Sequence, residues 1–415
     1  MFQKRCLPVV VVLTLFLLLV PACGGDGGEK TPTPTQTSAI THTSIPSPTA
    51  TPTSLEPVRI GVIGPWSGPV GVSGMLIDQI IAVVEWQVKN KGGILGGREV
   101  RFIRGDDGGI ISQSVAQAKK LTLDNKVTIL TLGGISAAHF TAVANAAEEL
   151  KVPYVPPATI NGVTALKYSA CPTTHESFIN PIAGFVTEVL KPKTVAWLGF
   201  EGEDTHKIID GAEGTVGLRD RLKAKGIDVI HEEYVPLDVV DLTPYLTKIQ
   251  YKKPDVLVSF IQGLPQTITI NKQIMELGGW GNIKYLAAAP TGAAQAAIKM
   301  PSAVGTYVLG TWLPGSDDSG MKAFEDAFKQ VHGRMPTFEI TFTYNALWIA
   351  IKAIELAGTD EPGKVAEALR SGNLEVDSAW GPLRMGADGK GKVPVMVAQV
   401  QEGGKLVEVW TWNPE

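Results

Sequence analysis

From Val58 onward the chain repeats one unit: a short apolar run, a turn rich in Gly, Pro or Ser, and an amphipathic stretch at helical spacing. Strands joined through helical crossovers must run parallel, and a parallel sheet needs helices on both faces, so the pattern dictates an α/β fold. The spacing predicts strands over 58–63, 99–103, 127–132 and 153–155, with helices over 75–89, 113–123 and 137–150 between them. In the first helix Met75, Ile77, Ile80, Ile81, Val84 and Val88 form the apolar side. The alternation restarts after Cys171, with helices expected over 178–190, 211–225, 242–250, 265–277 and 293–299 and strands over 194–198, 228–234, 256–260 and 283–287. Roughly 360 residues exceed the usual single core of about 250, so two lobes are expected.

The last hundred residues read as a strand over 306–309, helices over 321–331, 341–356 and 362–369, and strand-like runs over 393–401 and 405–411. They are too few for a third lobe and must complete the first two. The chain is therefore expected to cross near 174–180, 309–313 and 389–394, giving a three-segment hinge. One lobe would hold residues 57–176 plus 312–392, the other 177–311 plus 393–415. Ligands of open parallel sheets sit beyond the carboxyl ends of the strands, so two such sheets enclose a cleft that closes about the hinge.

Ahead of this body, Lys4 and Arg5 precede an apolar run over 7–20 that ends in Pro21-Ala22-Cys23-Gly24, the layout of a signal peptide over 1–22. The run falls short of the ~20 apolar residues of a spanning helix. Val20-Pro21-Ala22-Cys23 resembles a bacterial lipobox, which implies cleavage before Cys23 and its acylation. The alternative is a cysteine that merely lies near an ordinary cleavage site. Residues 31–57 include nine Thr, six Pro and four Ser, too little apolar surface for a core, so 23–56 reads as an extended tether. The body is then expected outside the cytoplasmic membrane, on its outer face or in the periplasm.

A formal charge of −4 leaves no basic footprint for nucleic acid. Cys6, Cys23 and Cys171 supply no disulfide framework, and the six histidines show no metal-binding spacing, so neither a transition metal nor another cofactor is expected.

Three loops carry candidate chemistry. The first, residues 64–74, is glycine-rich but matches neither a dinucleotide nor a P-loop spacing, although Asp106 and Asp107 follow the second strand as a ribose-binding acid would. The second, Gly133-Gly134-Ile135-Ser136-Ala137-Ala138-His139, contains G-x-S-x-A, a nucleophile elbow with its last glycine replaced. Ser136 reads better as a helix cap whose hydroxyl and neighbouring amides hold a carboxylate. The third ends in Ala158-Thr159, where Thr159 offers a hydroxyl to a ligand or to its own turn. Trp66, Tyr154 and Trp312 are candidate apolar walls, while His139 and His175 by themselves read as surface or cap residues.

Taken in order, several stretches resemble the branched-chain amino acid type of extracellular solute-binding protein of ABC importers. They are Ile60-Gly61-Val62-Ile63-Gly64-Pro65, Asn90-Lys91-Gly92-Gly93-Ile94-Leu95-Gly96-Gly97-Arg98, Asp106-Asp107, Val152-Pro153-Tyr154-Val155 and Trp380-Gly381-Pro382-Leu383. The resemblance implies two Rossmann-like lobes, the type I periplasmic binding protein fold, and no catalysis. It also implies ligand contacts at Trp66 and Ser73, at Ser136, Ala137 and His139, and at Ala158 and Thr159, with Gly263, Leu264 and Thr291 contributed by the second lobe. Thr291 stands where amino-acid binders often place an acid, and the serine-rich loop is thinned to Ser136-Ala137-Ala138. Amides, urea-like compounds and aromatic or aliphatic carboxylates therefore join amino acids as expected guests.

The reading is a lipid-tethered, monomeric binding protein that hands a small molecule to an ABC permease. The alternatives are a sensor that docks on a signalling receptor and a secreted hydrolase using Ser136.

Overall fold

The computed structural model describes residues 55–414 apart from 161, 213, 262–263, 289–298, 316 and 338. The leader, Cys23, most of the tether, Gly263, Thr291 and most of the helix expected over 293–299 lie outside the described residues.

The first half of the alternation folds as its spacing demands. β1 (Val58–Gly64), α1 (Val72–Asn90), β2 (Val100–Asp106), α2 (Ile111–Leu123), β3 (Ile129–Leu132), α3 (Ala137–Leu150) and β4 (Tyr154–Val155) follow one another. They give an all-parallel sheet in the order β2-β1-β3-β4. Val58, Ile60, Val62 and Ile63 are wholly buried, as a strand covered on both faces must be. The apolar side of α1 is also as expected, except that Met75 is 58 % exposed.

A second set holds α4 (Glu176–Gly184), β5 (Thr194–Phe200), α5 (Glu203–Asp210), the hairpin β6 (Gly211–Ala212) and β7 (Thr215–Val216), α6 (Leu218–Lys223) and β8 (Asp228–Val235). It continues through α7 (Thr243–Lys252), β9 (Val256–Phe260), α8 (Leu264–Glu276), β10 (Lys284–Ala287) and β11 (Tyr307–Gly310). The chain then gives α9 (Ser319–His332), α10 (Glu339–Ala357) and α11 (Pro362–Leu369). The strands β12 (Leu374–Ser378), β13 (Gly381–Met385), β14 (Gly391–Lys392), β15 (Val395–Val400) and β16 (Leu406–Trp412) complete it.

The second sheet runs β16-β15-β11-β10-β9-β5-β8 and is mixed: β11 to β8 are parallel, whereas β15 and β16 add antiparallel. The short link between β15 and β16 leaves no room for a crossover, so the pair has to reverse. α10 packs on α1, β3 and β4, and α9 packs on α1, so these helices cover the first sheet although they follow the second in sequence. The chain passes between the two α/β lobes three times: after β4, after β11 and between β14 and β15.

Two expectations fail. The helix expected over 211–225 is a hairpin followed by a short α6, and α5 lies before it where no helix was expected. Gly211 has φ 96°, and a Cβ on Gly217 would stand 2.3 Å from the Gly211 nitrogen, so this backbone admits neither a helix nor a side chain. Secondly, β12, β13 and β14 form a separate antiparallel sheet that the strand–helix alternation does not announce.

Candidate ligand-binding cleft

Beyond the carboxyl ends of β1 and β3 the backbone turns sharply, with Leu132, Gly133 and Gly134 at φ 66°, 114° and 95°. For a leucine this region is strained, and the surroundings have to hold it there. The Leu132 carbonyl accepts from the buried Tyr154 hydroxyl, and the Gly133 N–H donates to Ile63 O at 2.9 Å. Burial pushes the Tyr154 phenol well above its ordinary range, so it stays a donor. This turn delivers Ser136 to the start of α3.

The Ser136 Oγ lies 2.8 Å from His139 Nδ1, and His139 Nε2 lies 3.1 Å from the Gly109 carbonyl oxygen. A carbonyl only accepts, so Nε2 carries a proton, and in the neutral ring Nδ1 then accepts the Ser136 hydroxyl proton. Ser136 therefore faces the cleft as an acceptor. Its side chain does not cap α3, which leaves the first-turn N–H groups of that helix open to an anion.

The loop after β2 holds the Gly109 carbonyl in place. Asp107 Oδ1 accepts from the Gly109 N–H at 2.9 Å and Oδ2 from the Ser114 hydroxyl at 2.8 Å. Asp106 Oδ1 accepts the N–H groups of Trp66, Ser67 and Gly108, so both acids organise loops. A ribose-binding role for them has no support in this geometry.

Ser73, Ser136, Ala137, Ala158 and Thr159 line one cavity of about 490 Å³. Trp66 does not reach it: its indole donates to Asp78 Oδ1 at 3.0 Å, and the ring packs against the core. His139 lies behind Ser136, and Leu264 is the first residue of α8. Tyr154 and Trp312 are core residues, 0 % and 3 % exposed. Of the surface or cap positions expected of His139 and His175, both are buried, with His175 at the cap position of α4 and His139 in the first turn of α3.

Sequence reasoning missed the opposite wall. The second set of elements brings Phe178, Asp204, Thr205, Ile208, Phe260 and Ala288 to the cavity, and α10 brings Ile340, Phe342 and Thr343. His175 Nε2 lies 3.5 Å from Asp204 Oδ1, and its hydrogen bond holds the Asp204 carboxyl below the ordinary carboxylate range. The N-terminal acids of α5, Glu203 and Asp204, were the available signal for that helix.

The α5 helix is itself clamped. Arg219 donates to Asp210 Oδ1 at the end of α5 at 3.0 Å and 3.1 Å, and to both carboxylate oxygens of Glu232 on β8. The Arg219 hydrogen bonds hold Glu232 below its ordinary value of 4.5. The unfolded chain takes up this proton first, so the contribution is complete above that value and is lost as pH falls through and below it. Urea midpoints of Glu232→Gln should therefore fall less steeply than those of the parent from about pH 5 to about pH 3. Parallel curves would refute the clamp.

A family model described as periplasmic binding protein matches residues 57–405. The leucine-, isoleucine-, valine-, threonine- and alanine-binding protein of Pseudomonas aeruginosa is 25% identical over 350 residues, covering 81% of this chain and 87% of its own. An ABC-transporter solute-binding protein of Rhodopseudomonas palustris, solved with 3,4-dihydroxybenzoic acid, shares the fold at TM-score 0.70. It is 21% identical and covers 86% of this chain and 97% of that one. The branched-chain amino acid binding protein of Streptococcus pneumoniae, solved with isoleucine, does so at TM-score 0.67 and 17% identity, covering 86% of this chain and 100% of that one. With two α/β lobes, three passages between them and a family match over nearly the whole described body, this chain belongs to the periplasmic binding proteins.

Proposed function

We propose that the protein closes its cleft on a small organic carboxylate with an apolar or aromatic body and delivers it to an ABC permease. The single observation that carries this reading is the polarity of the cleft. The uncapped start of α3 offers N–H groups at one place, while Phe140, Phe178, Phe260 and Phe342 supply apolar wall elsewhere. A few convergent donors set in an apolar, partly dehydrated cavity fix a guest's orientation, and the walls select its body. The relative solved with a dihydroxybenzoic acid has a guest of this kind.

A second reading, an amino acid, is favoured by Asp204, whose carboxylate stands at the cleft and can meet an ammonium group. The curated relative named for leucine, isoleucine and valine agrees with that alternative. Thermal-shift titration with hydroxybenzoates on one side and apolar amino acids on the other separates the two. A true guest at a hundred times its Kd should stabilise the protein by about 2.7 kcal/mol and be recovered unchanged. A carboxylate series without any shift would remove the first reading, and turnover of an ester guest would remove both.

The same reading divides the lobes into 57–176 plus 312–392 and 177–311 plus 393–415, and treats Gly263, Leu264 and Thr291 as contacts from the second. It takes residues 1–22 as a leader and hangs the body, as a monomer, on lipid at Cys23 through the tether over 23–56. The mass of the mature N-terminus should show an acylated Cys23, and an unmodified terminus would refute the anchor.

A further inference from the structure

A second cavity, of about 710 Å³, is larger than the cleft and shares none of its lining residues. α4 lies between the two. Phe178 reaches the cleft, whereas Ser177, Asn180, Gly184 and Thr187 line the second cavity. The passage entering α4 divides likewise, His175 to the cleft and Glu176 to the second cavity. Thr187 belongs to a π-helical stretch, Phe185–Leu190, that continues α4, and such irregularities occur often at functional sites.

Among the described residues that line this cavity the basic side chains outnumber the acidic ones. Arg221, Lys225, Lys390 and Lys392 oppose Glu176, Glu188 and Asp388. Lys390 is taken up by Glu176 at 3.0 Å. Arg221 donates Nε to the Val216 carbonyl at 2.8 Å, which fixes its guanidinium. Among the described residues neither Arg221 nor Lys225 has a carboxylate within ion-pair distance. Glu176, already held by Thr215 and Lys390, feels the Arg221 charge only through space, which leaves the terminal nitrogens of that guanidinium to a bidentate oxyanion, and the Asn180 amide adds a neutral donor in the same cavity.

We propose that this cavity is a second small-molecule site, which takes a small oxyanion such as phosphate or a carboxylate between Arg221, Lys225 and Asn180. The test is calorimetric titration of the full chain with inorganic phosphate, and separately with citrate, at an ionic strength held constant with chloride. Saturable binding of one of them is expected, weakened about tenfold or more in Arg221→Gln and about threefold in the exposed Lys225→Ala. Should Arg221→Gln lower the unliganded melting temperature, Lys225→Ala carries the comparison. Heats no greater than those of chloride, or binding unchanged in both variants, would each overturn the site.

Discussion

Replacing Trp380 with alanine should destabilise the protein by about 3–5 kcal/mol, the range for emptying a buried tryptophan site. Trp380 is 0 % exposed, and its indole donates to Thr341 Oγ1 at 2.8 Å. Its ring meets Phe342 edge-on with centroids 4.8 Å apart, and Phe342 lines the cleft. Alanine therefore opens a void directly behind a wall of the binding cavity. Trp380→Phe keeps most of the ring volume but gives up the hydrogen bond, and should cost about 1 kcal/mol. Urea unfolding of the two variants checks this. A loss below about 1 kcal/mol for alanine would mean that the surrounding side chains collapse into the space.

Ser136→Ala should discriminate between kinds of guest. With its proton committed to His139, Ser136 can only accept from a ligand, so a guest bearing an ammonium loses a charge-assisted hydrogen bond of about 1.5–3 kcal/mol. An aromatic carboxylate is held by the open N–H groups of α3 instead, and should lose less than about 1 kcal/mol. Adding Thr159→Ala should bring the loss for an amino acid to about 2–4 kcal/mol. Calorimetry with a paired amino acid and benzoate reads this directly, and equal losses for both would show that the Ser136 proton is free to turn toward the ligand.

Much of the fold was legible because parallel strands and their covering helices have different hydrophobic periods. The bounds of α3, β9 and α11 agree with the expected ranges. The reading went wrong around Gly211, where a turn with positive φ replaces the first half of the expected helix, and an apolar pattern carries no information about such a backbone. The β12–β13 hairpin did have a signal. Leu374, Val376 and Ser378 are buried in alternation with exposed Glu375 and Asp377, a period of two that the strand–helix scheme passed over.

The cleft was half legible. Ser73, Ser136, Ala137, Ala158 and Thr159 lie on the loops that leave the first sheet or in the first turn of the helices those loops enter, and turn chemistry marks such loops in any sequence. Asp204 and Phe342 carry no comparable mark. Phe342 belongs to a helix that follows the second sheet in the chain yet packs on the first, and Asp204 enters through a helix that was not expected at all.

By itself, then, the amino-acid order determined the succession of strands and helices and the side each one buries, since periodicity is a property of neighbours. Only the tertiary structure decided which distant surfaces those sides meet, and so which residues share a cavity. It also decided the polarity of Ser136, because the proton on His139 is placed by a carbonyl 30 residues away in the chain.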